Sequence, residues 1–489
     1  MTATYTPVFE RRRAVLPPID YTMADYHRQM EDYLAVIPTL TDRWTDFNAD
    51  DLGMVVLRAT ARGIDELFYY LDARVQDLYI DTNRLRDTLF AMTRLVGYSP
   101  HLAAGGTATM RITLAAPASS GVTLEKWWQA SSAGSGTQYF MALLEEATIP
   151  AGQTSVDVAA IQAERVTDTF AGTGSAGQIF TLTREKVCAV GLVVDGEEWD
   201  EVETTVGQAA DAKVYVVRLL WNDTVQIETG DGIEGAIPPA GAEVTVTYLV
   251  TLGAAGNEIG AGQITRAVDP ILDGVVEVTS TATVTNLESV TGGEDEEADA
   301  DIKRNAPRCT HALYRTGPAN DTQALLEAFP GVERALVLDV NNYSDIVRYH
   351  YEEIYIIPAG GGAMSEALAG LLEDFLDERK TPGFEVVLAT AEYVPVPVTA
   401  TVYRYAGYSD AEVEASVREA LEDYFSADPD IGTVDWMRDV DPDEIVGVLN
   451  RLDGVSYVEM SAPTETVEVA AGQFPTLGAL SVTIVEVGE

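Results

Sequence analysis

Lysine is almost missing from this chain, occurring only at Lys126, Lys186, Lys213, Lys303 and Lys380. With arginine counted, 31 basic residues stand against 78 acidic ones, a formal net charge of −47. A phosphate backbone is held by Lys and Arg that displace its counterions, so the expected partners include no nucleic acid. Cysteine is equally scarce: Cys188 and Cys309 are too few for a disulfide framework or a cysteine-based metal site. The four histidines (His27, His101, His311, His350) fall in different segments, without metal-ligand pairing such as H-E-x-x-H. There is no G-x-S-x-G elbow, and of the two cysteines only Cys309 has a histidine near it in sequence, His311 two residues on. Carboxylate pairs exist in such numbers that choosing one for glycoside hydrolysis carries no information. The expectation is a protein that is not an enzyme and holds neither cofactor nor metal. Long apolar runs are missing too. No stretch approaches the 18 to 20 residues of a membrane span, and residues 1–18 carry no apolar signal core. We therefore expect no membrane insertion, and a chain made and kept, or assembled, in a reducing cytoplasm.

What is present is ample for folding. At 489 residues the chain has length for about three domains. Apolar residues make up 46% of it, which places it among globular chains. Residues 1–20 read as an extended arm with Arg11-Arg12-Arg13 followed by Pro17-Pro18. On so acidic a chain those arginines are expected to contact acidic neighbours.

Residues 21–100 read as a helical assembly unit. Met23, Tyr26, Met30, Tyr33 and Ile37 recur at helical spacing, with Pro38 expected to stop the run. Leu57, Ala61, Ile64, Leu67, Leu71, Val75 and Leu78 form a longer stripe, preceded by a polar turn from Trp44 to Gly53 that can cap it. Leu85, Leu89, Met92 and Val96 give a third helix, closed by Gly97. Two or three helices alone bury little apolar surface. Leu57, Leu67 and Leu71, with the arginines of the arm, are therefore the candidate assembly residues.

At Gly106 the period changes to two, and residues 101–290 read as a β-rich middle domain. Gly172 to Gly177 matches G-x-G-x-x-G, but a strand follows it where a dinucleotide site needs a helix. Trp127, Trp128 and Trp199 are candidates for sugar stacking, or for packing. The middle of the chain turns on Ile227 to Thr265. Asp231-Gly232 is a tight turn, Pro238-Pro239 and Gly241 an extended piece and a second turn. Val244, Val246 and Tyr248 alternate with Glu243, Thr245 and Thr247 in a strand, and Gly253, Gly256 and Asn257 follow. The local reading is a β-hairpin with a glycine-rich return.

Residues 291–390 and 391–489 alternate strands and helices, which argues for small α+β sandwiches. The first opens on six carboxylates from Glu294 to Asp301, without EF-hand spacing, read as an acidic first helical turn. Gly360-Gly361-Gly362 precedes a helix, but no Lys-Ser/Thr follows, so it is no P-loop. Ser409 and Glu412 form a capping box.

Five of these cues, in order over residues 227–265, resemble the middle of the baseplate J-like proteins: the Gly-Asp-Gly turn, Gly235, Pro238-Pro239-Ala240-Gly241, the strand ending in Tyr248, and Gly253 to Asn257. Asp46 to Pro100, with Tyr69-Tyr70 and the Leu95 to Pro100 ending, is similar to that family's N-terminal region. Thr291 to Arg304 is similar to the segment opening its C-terminal half. The resemblance implies an α+β multidomain fold and a structural wedge role in the tail baseplate of a virus, or in a related contractile injection device. It implies copies forming a ring around a central hub, linked to sheath- or tube-proximal wedge proteins and to a tail-fibre connector. The alternative is a carbohydrate-binding or carbohydrate-cleaving tail protein, suggested by the tryptophans and acids.

The charge adds a condition. Screening shortens from about 10 Å at 0.1 M salt to about 3 Å at 1 M, so a surface this acidic is tolerable in brine. We read the composition as that of a salt-in halophile or its virus, the alternative being an acidic chain from a GC-rich non-halophile. Thermal unfolding should show a markedly higher midpoint in 2 M than in 0.1 M KCl; an unchanged midpoint would remove the halophilic reading.

Overall fold

The computed structural model describes residues 25–133, 138–339, 342, 351–429 and 431–487. The described residues divide into two compact units, one ending at Gly97 and the other beginning at Tyr98. The candidate arginines Arg11, Arg12 and Arg13, and His350, lie outside the described residues.

The first unit is helical. α1 (Tyr26–Leu40) starts at Asp25, whose carboxylate accepts from the Arg28 N–H. The expected stop at Pro38 does not occur. Proline removes its own N–H, yet the Ile37 carbonyl still accepts from Thr41, and the last turn closes at Leu40. α2 (Leu52–Gln76) is capped by Asp51, which accepts from Gly53 and Met54. The same carboxylate takes the Trp44 indole N–H at 3.1 Å, so the polar turn and the helix start are one structure. The helix ends two residues before the expected Leu78. α3 (Arg86–Leu95) is followed by Gly97 at φ +76°, the left-handed position that glycine occupies without penalty.

The second unit begins with two β-sheets. One is six-stranded and antiparallel throughout, in the order Ile264–Ala267, Gln129–Ser132, Phe140–Leu143, Ser155–Gln162, Thr107–Thr113, Thr283–Asn286. Met110, Ile112, Met141 and Leu143 are buried on its inner face, together with Ile149 and Val122. The other sheet has seven strands, with Glu243–Val250 between Glu164–Ala171 and Val187–Val194.

This placement corrects the hairpin reading. Val225–Thr229 pairs with Val214–Leu219 and Ile179–Thr181, not with Glu243–Val250. The local turn is as expected: Asp231 accepts from Ile233 and Glu234 at 2.8 Å, and Gly232 has φ +85°. Beyond it the loop bonds to distant segments. Gly235 and Ala236 donate to Ala209 and Ala212, and Gly241 donates to Gly172. A turn dipeptide fixes the local reversal, and these distant bonds decide where the strand goes next.

Two α+β layers follow. In the first, α4 (Asp299–His311), α5 (Ala319–Glu327) and α6 (Glu366–Arg379) accompany a sheet of Val332–Asp339, Tyr351–Pro358 and Glu385–Thr390. Its core holds Leu326, Val337, Ile354, Ile356, Leu368 and Leu372. The acidic run only partly forms a helical turn: Asp299 and Asp301 do, while Glu294 to Glu297 precede the helix. In the second, Glu392–Arg404 lies between antiparallel Val455–Ala462 and parallel Gln473–Glu486. α7 (Asp410–Tyr424) begins with the complete Ser409/Glu412 capping box, and α8 (Pro442–Leu449) starts at Asp441. Val402, Val417, Leu421, Ile445, Leu449 and Phe474 are wholly buried together. The architecture is thus a helical N-terminus, a β-rich middle and small C-terminal α+β units.

Leu421→Ala should lower unfolding stability by about 2–5 kcal/mol, the cost of an unfilled core cavity. Denaturant unfolding checks this; a loss below 1 kcal/mol would mean the site collapses around the smaller side chain.

Candidate functional site: an exposed helical face and a glycine-lined junction

The helical unit closes only a small core. Met30, Met54 and Ala61 are buried, with Tyr26, Tyr33, Trp44 and Leu57 partly packed against them. Only two residues of the 25-residue α2 are buried. Leu57 is half-buried, whereas Leu67 and Leu71 are 68% and 55% exposed. Phe68, Tyr69 and Tyr70 lie exposed between them. So the stripe divides: its N-terminal half meets α1, and its C-terminal half is open. Leu52, Val56, Leu78 and Leu95 add to the exposed apolar surface. Apolar exposure on this scale, within one small unit, is characteristic of a surface that another molecule covers.

A second constellation lies where the β-rich middle meets the C-terminal half. The Gly253 to Asn257 motif forms a 3-10 turn, Gly253–Glu258. Asn257 Oδ1 accepts from the Gly293 N–H at 2.7 Å, and its Nδ2 donates to the Gly293 carbonyl at 2.8 Å. The side-chain amide thus pairs with a peptide group as a strand would. A Cβ on Gly293 would stand 2.5 Å from the Gly253 carbonyl oxygen and 2.9 Å from Asn257 Oδ1. Only glycine permits this approach. On the same side, Gln162 Oε1 accepts from Thr251 Oγ1 and the Leu252 N–H.

The acidic run supplies the rest of the junction. Glu297 is 1% exposed and accepts from Tyr98 Oη at 2.5 Å, the His101 N–H at 3.2 Å and Asn305 Nδ2 at 3.0 Å. Burial, then the neighbouring Glu297 charge, holds the Tyr98 phenol far above its ordinary range. Burial alone would lower His101, but Glu297 and Glu294 outweigh it and favour the imidazolium. Glu294 accepts from the Gly331 N–H at 2.9 Å, and its pKa is raised, chiefly by burial. Thr107 Oγ1 and Ser365 Oγ, both buried, meet at 2.6 Å across 258 positions.

The chemistry of this constellation is clamping. Among the described residues, no group of three or more His, Cys, Asp or Glu side chains is arranged to hold a metal ion. His27 packs edge-on to Tyr26, and the exposed His311 lies 3.7 Å from Asp321. Both thiols are free, and burial pushes each up to about 12, far from a reactive thiolate. Trp128 and Trp199 are buried, the first donating to the Pro270 carbonyl, so neither presents a ring to sugar. Sequence reasoning missed Asn257, Gly293, Tyr98 and Glu297 as one device. Their partners lie 36 and 199 positions apart, beyond any local period.

Residues 396–483 match the family model for the baseplate J-like protein C-terminal domain. These residues contain most of the second α+β layer. Among solved structures, the chain is similar to one in a cryo-EM structure of the anti-feeding prophage (AFP) baseplate, 6-fold symmetrised. The two are 15% identical with a TM-score of 0.33, covering 92% of this chain and 90% of that one, a likeness too loose to carry an argument. No curated protein matches the chain at a significant level.

Gly293→Ala should destabilise the 98–489 unit by about 1–3 kcal/mol, since backbone rather than a flexible side chain stands in the way. Gly370→Ala, in α6 with open space around it, should be neutral or stabilising by up to about 1 kcal/mol. Thermal unfolding of both variants checks this, and equal effects would remove the close-approach argument.

Proposed function

We propose that this chain is a structural component of a tail baseplate, in a virus or a related contractile injection device. The observation that carries this reading is the baseplate J-like C-terminal domain over residues 396–483. The ordered resemblances in the middle and N-terminal regions agree with it. In this reading the protein is a wedge subunit that does no chemistry. Copies of it surround the central hub and connect it to fibre-bearing proteins, within a particle assembled in the host cytoplasm.

The division of labour follows from burial. The 98–489 unit closes its own cores and is clamped internally by Asn257 and Glu297. The 5–97 unit leaves Leu67, Leu71 and the intervening aromatics open, and it is the assembly surface. Helices with such faces find partners as bundles or in apolar grooves. Arg11, Arg12 and Arg13 add a basic handle for acidic neighbours.

Deleting residues 1–97 should leave a folded, soluble monomer that no longer joins its baseplate neighbours. In the intact chain, Leu67→Asp with Leu71→Asp should weaken assembly while shifting unfolding by no more than about 0.5 kcal/mol per site, because both side chains are exposed. Mass measurement in high salt with the partner proteins, alongside melting, reads both quantities. Undiminished assembly by the truncated form would place the main interfaces in the C-terminal half.

A further inference from the structure

Between the two α+β layers lies a cavity of about 420 Å³, within the usual range for ligand sites. Its walls are made by Tyr393, Phe425 and Phe474 on one side and by the Gly360 to Gly362 loop on the other. Its lining carries two carboxylates, Glu333 and Asp428, and among the described residues no Lys, Arg or His. The loop glycines have φ of +79°, +75° and +85°, so three successive residues follow a path that side-chain-bearing residues rarely adopt. Tyr393, the aromatic with a hydroxyl, spends its donor on the Gly362 carbonyl at 2.8 Å. Arg334, next to Glu333 in the strand Val332–Asp339, is engaged by Asp435 at 2.5 Å and by the Ala427 carbonyl.

We propose that this cavity receives an alkyl cation, an ammonium or guanidinium on a short methylene stem, with the stem against Phe425 and Phe474 and the charge at Glu333 and Asp428. The lining excludes the other ligand classes. An anion would meet two carboxylates and no cation, so the glycine loop here is not a phosphate cradle. A neutral apolar ligand would leave the half-buried Glu333 unanswered, for among the described residues no donor reaches its carboxylate. A cation with an apolar stem satisfies both walls, since amphipathic side chains and amines lay their methylenes on aromatic surface and their charge on a carboxylate.

Glu333 is already held ready for such a ligand. Burial first, then the like charges of Asp428, Glu294 and Asp301, push it up to about 7 against the opposing pull of Arg304. At that value the carboxyl is about half protonated at neutral pH. The ionised fraction rises about tenfold between pH 6 and pH 8, and cation affinity rises with it.

Calorimetry on the full chain at fixed ionic strength tests this with two probes, 1,5-diaminopentane and acetyl-arginine methylamide, and with 1-pentanol as the uncharged control. One saturable site is expected for at least one cation and none for the alcohol. Preference for the diamine identifies a free polyamine as the natural ligand; preference for the arginine amide identifies a basic side chain of a partner protein. Binding should be about tenfold tighter at pH 8 than at pH 6, and Glu333→Gln should weaken it at least tenfold and abolish that pH dependence. Asp428→Asn gives a second reading, with weaker binding but the pH dependence kept. The proposal is overturned by no saturable site, by pentanol binding as well as the cations, or by affinities that neither variant changes. The readout needs no baseplate partner, so it stands or falls separately from the assembly reading.

Discussion

One side-chain amide holds the larger unit to a single arrangement. Asn257 accepts from and donates to the same residue, Gly293, and so behaves as a short piece of strand placed between two segments that are not strands. A hydrogen bond of this kind adds only about 1 kcal/mol net, but leaving either partner buried and unpaired costs more. The pairing is possible because Gly253, Gly293 and Gly106 bring backbone to backbone without side chains between them. Several of the glycines that make the sequence recognisable are thus the points where three layers touch.

How much of this was legible in the sequence depends on the range of the force involved. The helices were legible because their signals are local: Asp51 and Ser409 cap the residues that follow them, and the apolar period repeats within a few turns. Strand Glu243–Val250 was legible from its alternation, which follows from one face being buried. Its partners were not, since both Glu164–Ala171 and Val187–Val194 are chosen by packing far along the chain. The long strand Gln473–Glu486 escaped notice. Its inward Leu480, Val482 and Ile484 are only half-buried, and Pro475 and Gly478 interrupt its pattern. Of the candidate assembly residues, Leu67 and Leu71 are found exposed on α2, as an interface would need before its partner arrives. Leu57 is half-packed against the unit's own core.

An acidic chain must also decide which carboxylates to bury, and three solutions coexist here. Glu327 is surrounded by donors: burial would raise it, but Arg308 at 2.7 Å and Gln323 at 2.9 Å more than compensate, and it stays ionised. Glu297 gathers a phenol, an amide and a backbone N–H around one group. Glu352 takes neither course. Among the described residues only the Thr322 hydroxyl bonds it, and burial pushes it up to about 7. For Glu352 the folded value exceeds the unfolded one. Its contribution therefore favours the fold at acid pH and is lost as pH rises from about 4.5 to 7. Surface repulsion also eases as carboxylates protonate, so Glu352 and the surface charge favour the same mildly acid range, while Glu327, held ionised, favours the fold at higher pH.

The strand Gln473–Glu486 has a consequence for biosynthesis. It runs parallel to Glu392–Arg404, and its Phe474 is buried against Trp436 within the same core. A parallel neighbour cannot be supplied by a tight turn, so the chain must travel through two helices and another strand before it returns. Until it does, Val398, Ala400 and Val402 have an open flank along the growing sheet. A nascent chain leaving the ribosome therefore displays a sticky, unfinished layer for the time needed to add the residues between positions 404 and 473. That layer is safe from misassociation only once Gln473–Glu486 has been added.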